Sequence, residues 1–180
     1  MADPHHAPGT LFLVVGPSGA GKDTVMLAAR KRLPDTYVFP RRVITRPAAA
    51  GGEDYVAETA DAFARLEKAH QFALSWQAHH LLYGIPVSIE RDLAEGRDVI
   101  INVSRTVVDA ARAAYANVRV ILITASHAVL EARLKARGRE VPADIAERLA
   151  REEDIRADAV VVNEGSIESA ADAFLAVLRG

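Results

Sequence analysis

Gly16-Pro17-Ser18-Gly19-Ala20-Gly21-Lys22 follows directly on the apolar run Leu11-Phe12-Leu13-Val14-Val15, and no other feature constrains this chain as much. Five consecutive apolar residues between Thr10 and Gly16 suit a strand buried on both faces of a parallel sheet. Glycines at 16, 19 and 21 let the backbone turn its N–H groups inward, and residues 23–33 carry a helical pattern stopped by Pro34. Strand, glycine loop, lysine and helix together make a cradle for the β- and γ-phosphates of a nucleotide. Amides line it, Lys22 adds a point charge, and the helix dipole brings its positive end to the same place. The alternative is a tight turn with an exposed lysine. A strand before and a helix after favour the cradle. Residues Gly16, Pro17, Ser18, Gly19, Ala20, Gly21 and Lys22 are therefore expected to hold ATP. The pattern calls for Ser or Thr after the lysine, but Asp23 stands there and Thr24 follows. Thr24 is expected to give its hydroxyl to the nucleotide or to Mg2+. Asp23 either holds a magnesium-bound water or simply sits well in a first helical turn, and the second reading is preferred.

Further apolar runs occur at Val99-Ile100-Ile101, Val118-Arg119-Val120-Ile121-Leu122-Ile123 and Ala159-Val160-Val161-Val162. Helical patterns over 105–115, 128–137, 143–156 and 167–178 alternate with them. This order predicts an α/β P-loop NTPase fold, a doubly wound parallel sheet with helices on both faces and right-handed crossovers. Residues 37–85 break the rhythm: Pro40, Pro47 and Gly51-Gly52 punctuate short β-like pieces such as Phe72-Ala73-Leu74-Ser75-Trp76, with one helical candidate over 60–69. A mixed insertion of this size suits a small subdomain over the sheet's carboxyl edge, where ligands of such sheets bind. A second excursion, 133–151, is rich in arginine.

With 22 basic against 24 acidic residues the net charge is -2, so no global basic field recruits nucleic acid or membrane, and any anion-binding surface must be local. The absence of cysteine excludes disulfides, zinc–thiolate sites, iron–sulfur clusters and thiol nucleophiles. No apolar run approaches the roughly 18 residues of a membrane span, and the first residues lack the charged-then-apolar order of a signal peptide. A cytoplasmic protein acting on small molecules is the expectation.

The loop, Thr45-Arg46-Pro47, Gly52-Glu53, Trp76, Tyr83-Gly84 and Val161-Val162-Asn163 together resemble the guanylate-kinase branch of the nucleoside-monophosphate kinases, over nearly the whole chain from Thr10. The resemblance implies one kinase domain with a core of about 10–36, 86–130 and 155–180, an acceptor-binding insertion of about 37–85 and a lid of about 131–154. The guanine-reading positions depart from that branch. Arg42 stands where those enzymes carry serine, Ser75 where they carry an acidic residue, and Asn102-Val103-Ser104-Arg105 where they carry an Asp-x-Asp pair. Their second acceptor-phosphate arginine falls in Pro47-Ala48-Ala49-Ala50 and is missing. Losing carboxylates that face a guanine's N–H donors is expensive, because a site built for hydrogen bonds is left with unmatched partners.

Ile44-Thr45-Arg46-Pro47-Ala48, Gly51-Gly52-Glu53, Trp76 to Pro86, Asn102-Val103-Ser104-Arg105 and Arg137-Gly138-Arg139-Glu140 instead resemble the ribose 1,5-bisphosphate phosphokinases of bacterial phosphonate breakdown. That family is implied to use ATP and Mg2+ to convert ribose 1,5-bisphosphate into 5-phospho-α-D-ribose 1-diphosphate. An acceptor with no base and two phosphates wants arginines, not carboxylates. His80 stands where that family is expected to carry glycine.

On this resemblance Arg42, Arg46, Glu53, Tyr83 and Arg105 are the candidate acceptor contacts, Arg46 the firmest. Each has a plainer reading, an exposed charged loop for the arginines and a half-buried packing aromatic for Tyr83. Trp76 reads as core. Arg137 and Arg148, with Lys22, are the candidate catalytic groups, neutralising charge on the travelling phosphoryl; Arg139 and Asn163 are expected at the nucleotide. A solvated helix with acidic neighbours is the alternative for the arginines, and the start of a turn for Asn163. His79-His80 lacks acidic or cysteine partners at ligand spacing, and neighbours on an extended segment point oppositely, so metal binding there is not expected. The competing functions are a guanylate or other nucleoside-monophosphate kinase, and a kinase-like fold that only binds a protein partner.

Overall fold

The structure is a computed structural model that describes residues 7–50, 53–137 and 156–180. Its strands are β1 (Leu11–Val15), β2 (Tyr37–Val38), β3 (Arg42–Ile44), β4 (Tyr55–Ala57), β5 (Phe72–Ala78), β6 (Leu81–Pro86), β7 (Asp98–Asn102), β8 (Val118–Thr124) and β9 (Ala159–Val162). The helices are α1 (Lys22–Arg30), α2 (Ala60–Lys68), α3 (Ile89–Ala94), α4 (Val108–Ala114), α5 (His127–Arg137) and α6 (Ile167–Arg179). One sheet has the strand order β2-β7-β1-β8-β9 and a second has β4-β3-β6-β5.

The chain divides into two compact units, one taking the residues up to Phe12 with Pro34–Val118, the other Leu13–Leu33 with Arg119–Gly180. In the second unit β8 and β9 pair in parallel, Ile121 opposite Ala159 and Thr124 opposite Val162. Parallel strands covered on both faces read as unbroken apolar runs. Leu13, Val14, Val15, Val120, Ile121 and Ile123 are accordingly fully buried. Helix α6 starts at Ser166, whose hydroxyl accepts from Ser169 N at 3.1 Å, and buries Ala170, Ala171, Phe174, Leu175 and Leu178 on one face. It packs against α1, where Arg32 pairs with Asp172 at 2.6 Å.

In the first unit β2 pairs with β7 in parallel, while the other sheet is mixed: β3 is parallel to β4 and antiparallel to β6, and β5 and β6 form a hairpin. Thr59 caps α2, accepting from Ala62 N at 3.1 Å. The helix closes with His70 at φ 53, His70 N reaching Glu67 O and Gln71 N reaching Leu66 O, each at 3.0 Å. These two bonds make a Schellman ending, with histidine in the left-handed position that glycine usually fills. Phe63 from α2 meets Phe72 from β5 at 4.6 Å between ring centroids. A Cβ on Gly84 of β6 would lie 2.5 Å from the Phe72 ring, so aromatic packing dictates that glycine.

Residues 42–86 carry the short strands of the mixed sheet and helix α2. One sequence expectation needs correction. His79 and His80 are not on an extended segment: they occupy the hairpin turn between Ala78 and Leu81, with φ 50 and 62. The helical pattern over 143–156 lies almost wholly outside the described residues.

Candidate functional site

The glycine loop leaves β1 at Val15 and enters α1 at Lys22, as the motif requires. Gly16 (φ 144), Gly19 (φ 89) and Gly21 (φ 81) all take positive φ. A Cβ on Gly16 would come within 1.9 Å of Ile123 O, so the loop turns against β8 at a distance only glycine permits. Lys22 folds back over the loop, its Nζ donating to Gly16 O at 2.5 Å and to Pro17 O at 3.0 Å. The ammonium thus already sits above the ring of backbone that a polyphosphate would enter. Asp23 and Thr24 are exposed in the first turn of α1, and Gly21 caps that helix with no side-chain bond to its amides. The positive dipole end of α1 favours an anion there.

Asn163, expected at the nucleotide, is 1 % exposed. Its Nδ2 donates to Ala20 O at 2.8 Å, its backbone N–H to Thr124 O at 2.7 Å, and a Cβ on Gly21 would strike Nδ2 at 2.6 Å. The side chain therefore buttresses the back of the phosphate loop. Arg133 reaches the same loop from α5, Nη1 to Gly19 O at 3.4 Å. Arg137 ends α5, and its side chain, like all of Arg139 and Arg148, lies outside the described residues.

Four of the acceptor candidates form one network in the first unit. Arg42, on β3, is 9 % exposed. Its Nε and Nη2 both donate to Glu53 Oε2, at 2.8 and 2.5 Å, and its Nη1 donates to Asn102 O at 2.9 Å. Arg46 Nη2 reaches the other carboxylate oxygen, Oε1, at 3.2 Å, while Arg46 Nε is buried without a hydrogen-bond partner. One carboxylate thus holds two guanidinium groups. Tyr83 completes the cluster: it stacks on Trp76 at 5.2 Å and 3° between planes, and Arg42 lies 5.4 Å from its ring centroid. Burial raises the Tyr83 hydroxyl above its ordinary pKa; Arg42 and Arg46 pull it down, and Glu53 adds to the rise. The net effect keeps Tyr83 an O–H donor at neutral pH. Trp76, read as core from the sequence, is half-buried and serves as the platform for Tyr83.

Tyr55 belongs to this network and was not singled out by sequence. Its ring lies under Arg46, 4.3 Å from Cζ to centroid, and its hydroxyl donates to Pro47 O at 2.5 Å. The signal was an aromatic two residues after Glu53, at the start of the short apolar piece Tyr55-Val56-Ala57. Arg41 is engaged elsewhere, with Asp54 at 2.8 Å and Tyr55 O at 2.9 Å. Arg105 is exposed in a short 3-10 turn, Arg105–Val107, which Ser104 caps. Ser75 donates to Glu67 at 2.7 Å. Among the described residues no group of three or more His, Cys, Asp or Glu side chains could hold a metal.

The guanylate kinase family matches residues 9–179. Ribose 1,5-bisphosphate phosphokinase PhnN of Acidiphilium cryptum is 53% identical over 94% of this chain and 92% of its own length. The protein of the same name from Rhodopseudomonas palustris is 48% identical over 96% of this chain and 89% of its own. The chain belongs to the ribose 1,5-bisphosphate phosphokinases, within the guanylate kinase family. A guanylate kinase crystal structure from Anaplasma phagocytophilum shares the fold, with a TM-score of 0.74 at 23% identity over 96% of this chain and 86% of that one. Membership makes the protein a phosphotransferase with an α/β nucleotide-binding core. No described helix is long and apolar enough to cross a membrane.

Proposed function

We propose that the protein transfers the γ-phosphoryl group of ATP to the 1-phosphate of ribose 1,5-bisphosphate, giving 5-phospho-α-D-ribose 1-diphosphate and ADP. The bond from the γ-phosphorus to the bridging oxygen of ADP breaks, and a bond from that phosphorus to an oxygen of the acceptor's 1-phosphate forms. The attacking oxygen is already anionic, so no general base is required, and alignment with charge neutralisation supplies the catalysis. The loop from Gly16 to Lys22 holds the β- and γ-phosphates by its amides, with Lys22 Nζ leaving the Gly16 and Pro17 carbonyls to meet them. Mg2+, when bound, would supply positive charge that offsets the charge of the phosphates. Thr24, exposed in the first turn of α1, would hold it, with Asp23 reaching it through water.

Residues 37–85 supply the acceptor side, with Arg42, Arg46 and Tyr83 as phosphate ligands and Arg105 a further contact. Arg42 is the observation that carries this reading. A buried guanidinium, paired with Glu53 and Asn102 O, occupies the position where the base-reading relatives carry serine. A guanidinium matches a phosphate once its paired edge is released, and has no acceptor for a purine's N–H groups. Relatives near half identity that are named for the same acceptor support it. ADP release measured across ribose 1,5-bisphosphate, GMP and AMP tests the proposal: the sugar bisphosphate should dominate kcat/KM, and turnover of GMP at a comparable rate would overturn it.

A further inference from the structure

We infer that the Glu53 carboxylate is an internal stand-in for the acceptor's phosphate, and that it gives up Arg42 when that phosphate binds. The inference rests on the acceptor reading above. Its starting point is how fully Arg42 is engaged. A guanidinium recognises a phosphate best through two parallel N–H groups on one edge. On Arg42 that edge, Nε with Nη2, is spent on a single oxygen of Glu53, at 2.8 and 2.5 Å, and Nη1 is spent on Asn102 O at 2.9 Å. No bidentate edge of Arg42 is left for a phosphate while Glu53 stays in place. Arg46 differs: one N–H reaches Glu53 at 3.2 Å, and its Nε is buried with no partner. The two guanidinium groups are arranged around one small oxyanion, and that oxyanion belongs to the chain itself.

Such an arrangement has two consequences for the reaction. The resident carboxylate keeps both forks oriented and their charge compensated before substrate arrives, so binding does not have to assemble them. It also sets a threshold, because a phosphate must out-compete a tethered anion of high local concentration. A free inorganic phosphate, with nothing else to anchor it, does so poorly. A sugar phosphate held also at its other end does so well. Glu53 thereby sets an affinity threshold, one that acceptors anchored at two places cross and free phosphate does not.

Glu53→Gln keeps the shape and removes the charge. With the nucleotide loop saturated by a non-hydrolysable ATP analogue and Mg2+, calorimetry with ribose 5-phosphate should show binding about tenfold tighter in this variant than in the unmodified protein, as expected for loss of one charge a few ångströms away. Inorganic phosphate should gain by a similar factor, enough to make it a competitor at concentrations where it does not occupy the unmodified site. An unchanged or weaker affinity would overturn the exchange and make Glu53 a brace. Loss of a static charge would also tighten binding, so a crystal structure of the unmodified protein with ribose 5-phosphate supplies the second readout. There Glu53 should have left Nε and Nη2 of Arg42, with a phosphate oxygen in its place. Glu53 still on Arg42 beside a bound sugar phosphate would overturn the inference, and this readout stands even if the glutamine variant does not fold. Should GMP bind and ribose 5-phosphate not, the acceptor reading falls while the same two measurements, made with GMP, still decide the exchange.

Discussion

Lys22 and Asn163 approach the phosphate loop from opposite requirements, one chemical and one mechanical. The Lys22 ammonium lies on the carbonyls of Gly16 and Pro17, and no backbone turn depends on it. Lys22→Ala should therefore lose most turnover while circular dichroism and the melting temperature stay near those of the parent; near-parental rates would remove the ammonium from the mechanism. Asn163 is buried and ties Ala20 O. Asn163→Ala should cost ~1–3 kcal/mol in urea unfolding, because it strands a buried carbonyl, and should raise the KM for ATP as the loop loses its support. The type of residue at 163 was legible in the sequence, but its direction was not. A strand end near a nucleotide suits a base contact and a buttress equally, and only the distance to Ala20 separates them. On the acceptor side, Arg46→Ala should raise the acceptor KM, lower kcat, or both, and leave ATP affinity unchanged when each substrate is titrated separately. A defect confined to ATP would contradict the role given to Arg46.

The β5–β6 hairpin shows what a pattern of residue types cannot carry. Its strands bring Trp76 opposite Tyr83, and so create the stacked platform beside Arg42. Its turn places His79 and His80 at φ 50 and 62, both left-handed. Turns of this kind favour Asn-Gly, and two histidines gave no turn signal to read. The glycine expected at position 80 in related kinases now has a physical cause: a left-handed residue with a Cβ costs roughly 1–2 kcal/mol. His80→Gly should raise stability by about 1 kcal/mol, a few degrees in melting temperature, with kcat unchanged; a fall in stability would mean that the imidazole makes a compensating contact. Helix α3 was missed for a related reason. At six residues it is too short to show a period, and its ending at Gly96 marks it only once the Leu93 and Asp92 carbonyls are seen to be capped.

At the scale of the whole chain, what was legible follows burial. Strands β1, β7 and β8 bury most of their length and were announced by the runs Leu11 to Val15, Val99 to Ile101 and Val118 to Ile123. The mixed sheet has short strands, β3 and β4 at three residues each, β5 is interrupted by Ser75 and Gln77, and the order β4-β3-β6-β5 has no trace in composition. The candidate site divides the same way. The phosphate loop is contiguous in sequence and was readable as one motif. The acceptor network joins residues 42, 46, 53, 55, 83 and 102, and the sequence offered most of its members without the bonds among them. That Glu53 faces Arg42 and Arg46 together is a consequence of folding alone. The account as a whole turns on the acceptor having phosphates and no base. Its most direct measurement is a competition: ATP and Mg2+ with equal concentrations of ribose 1,5-bisphosphate and GMP in one reaction, products identified by mass. The account predicts 5-phospho-α-D-ribose 1-diphosphate with little GDP; GDP as the main product would contradict it.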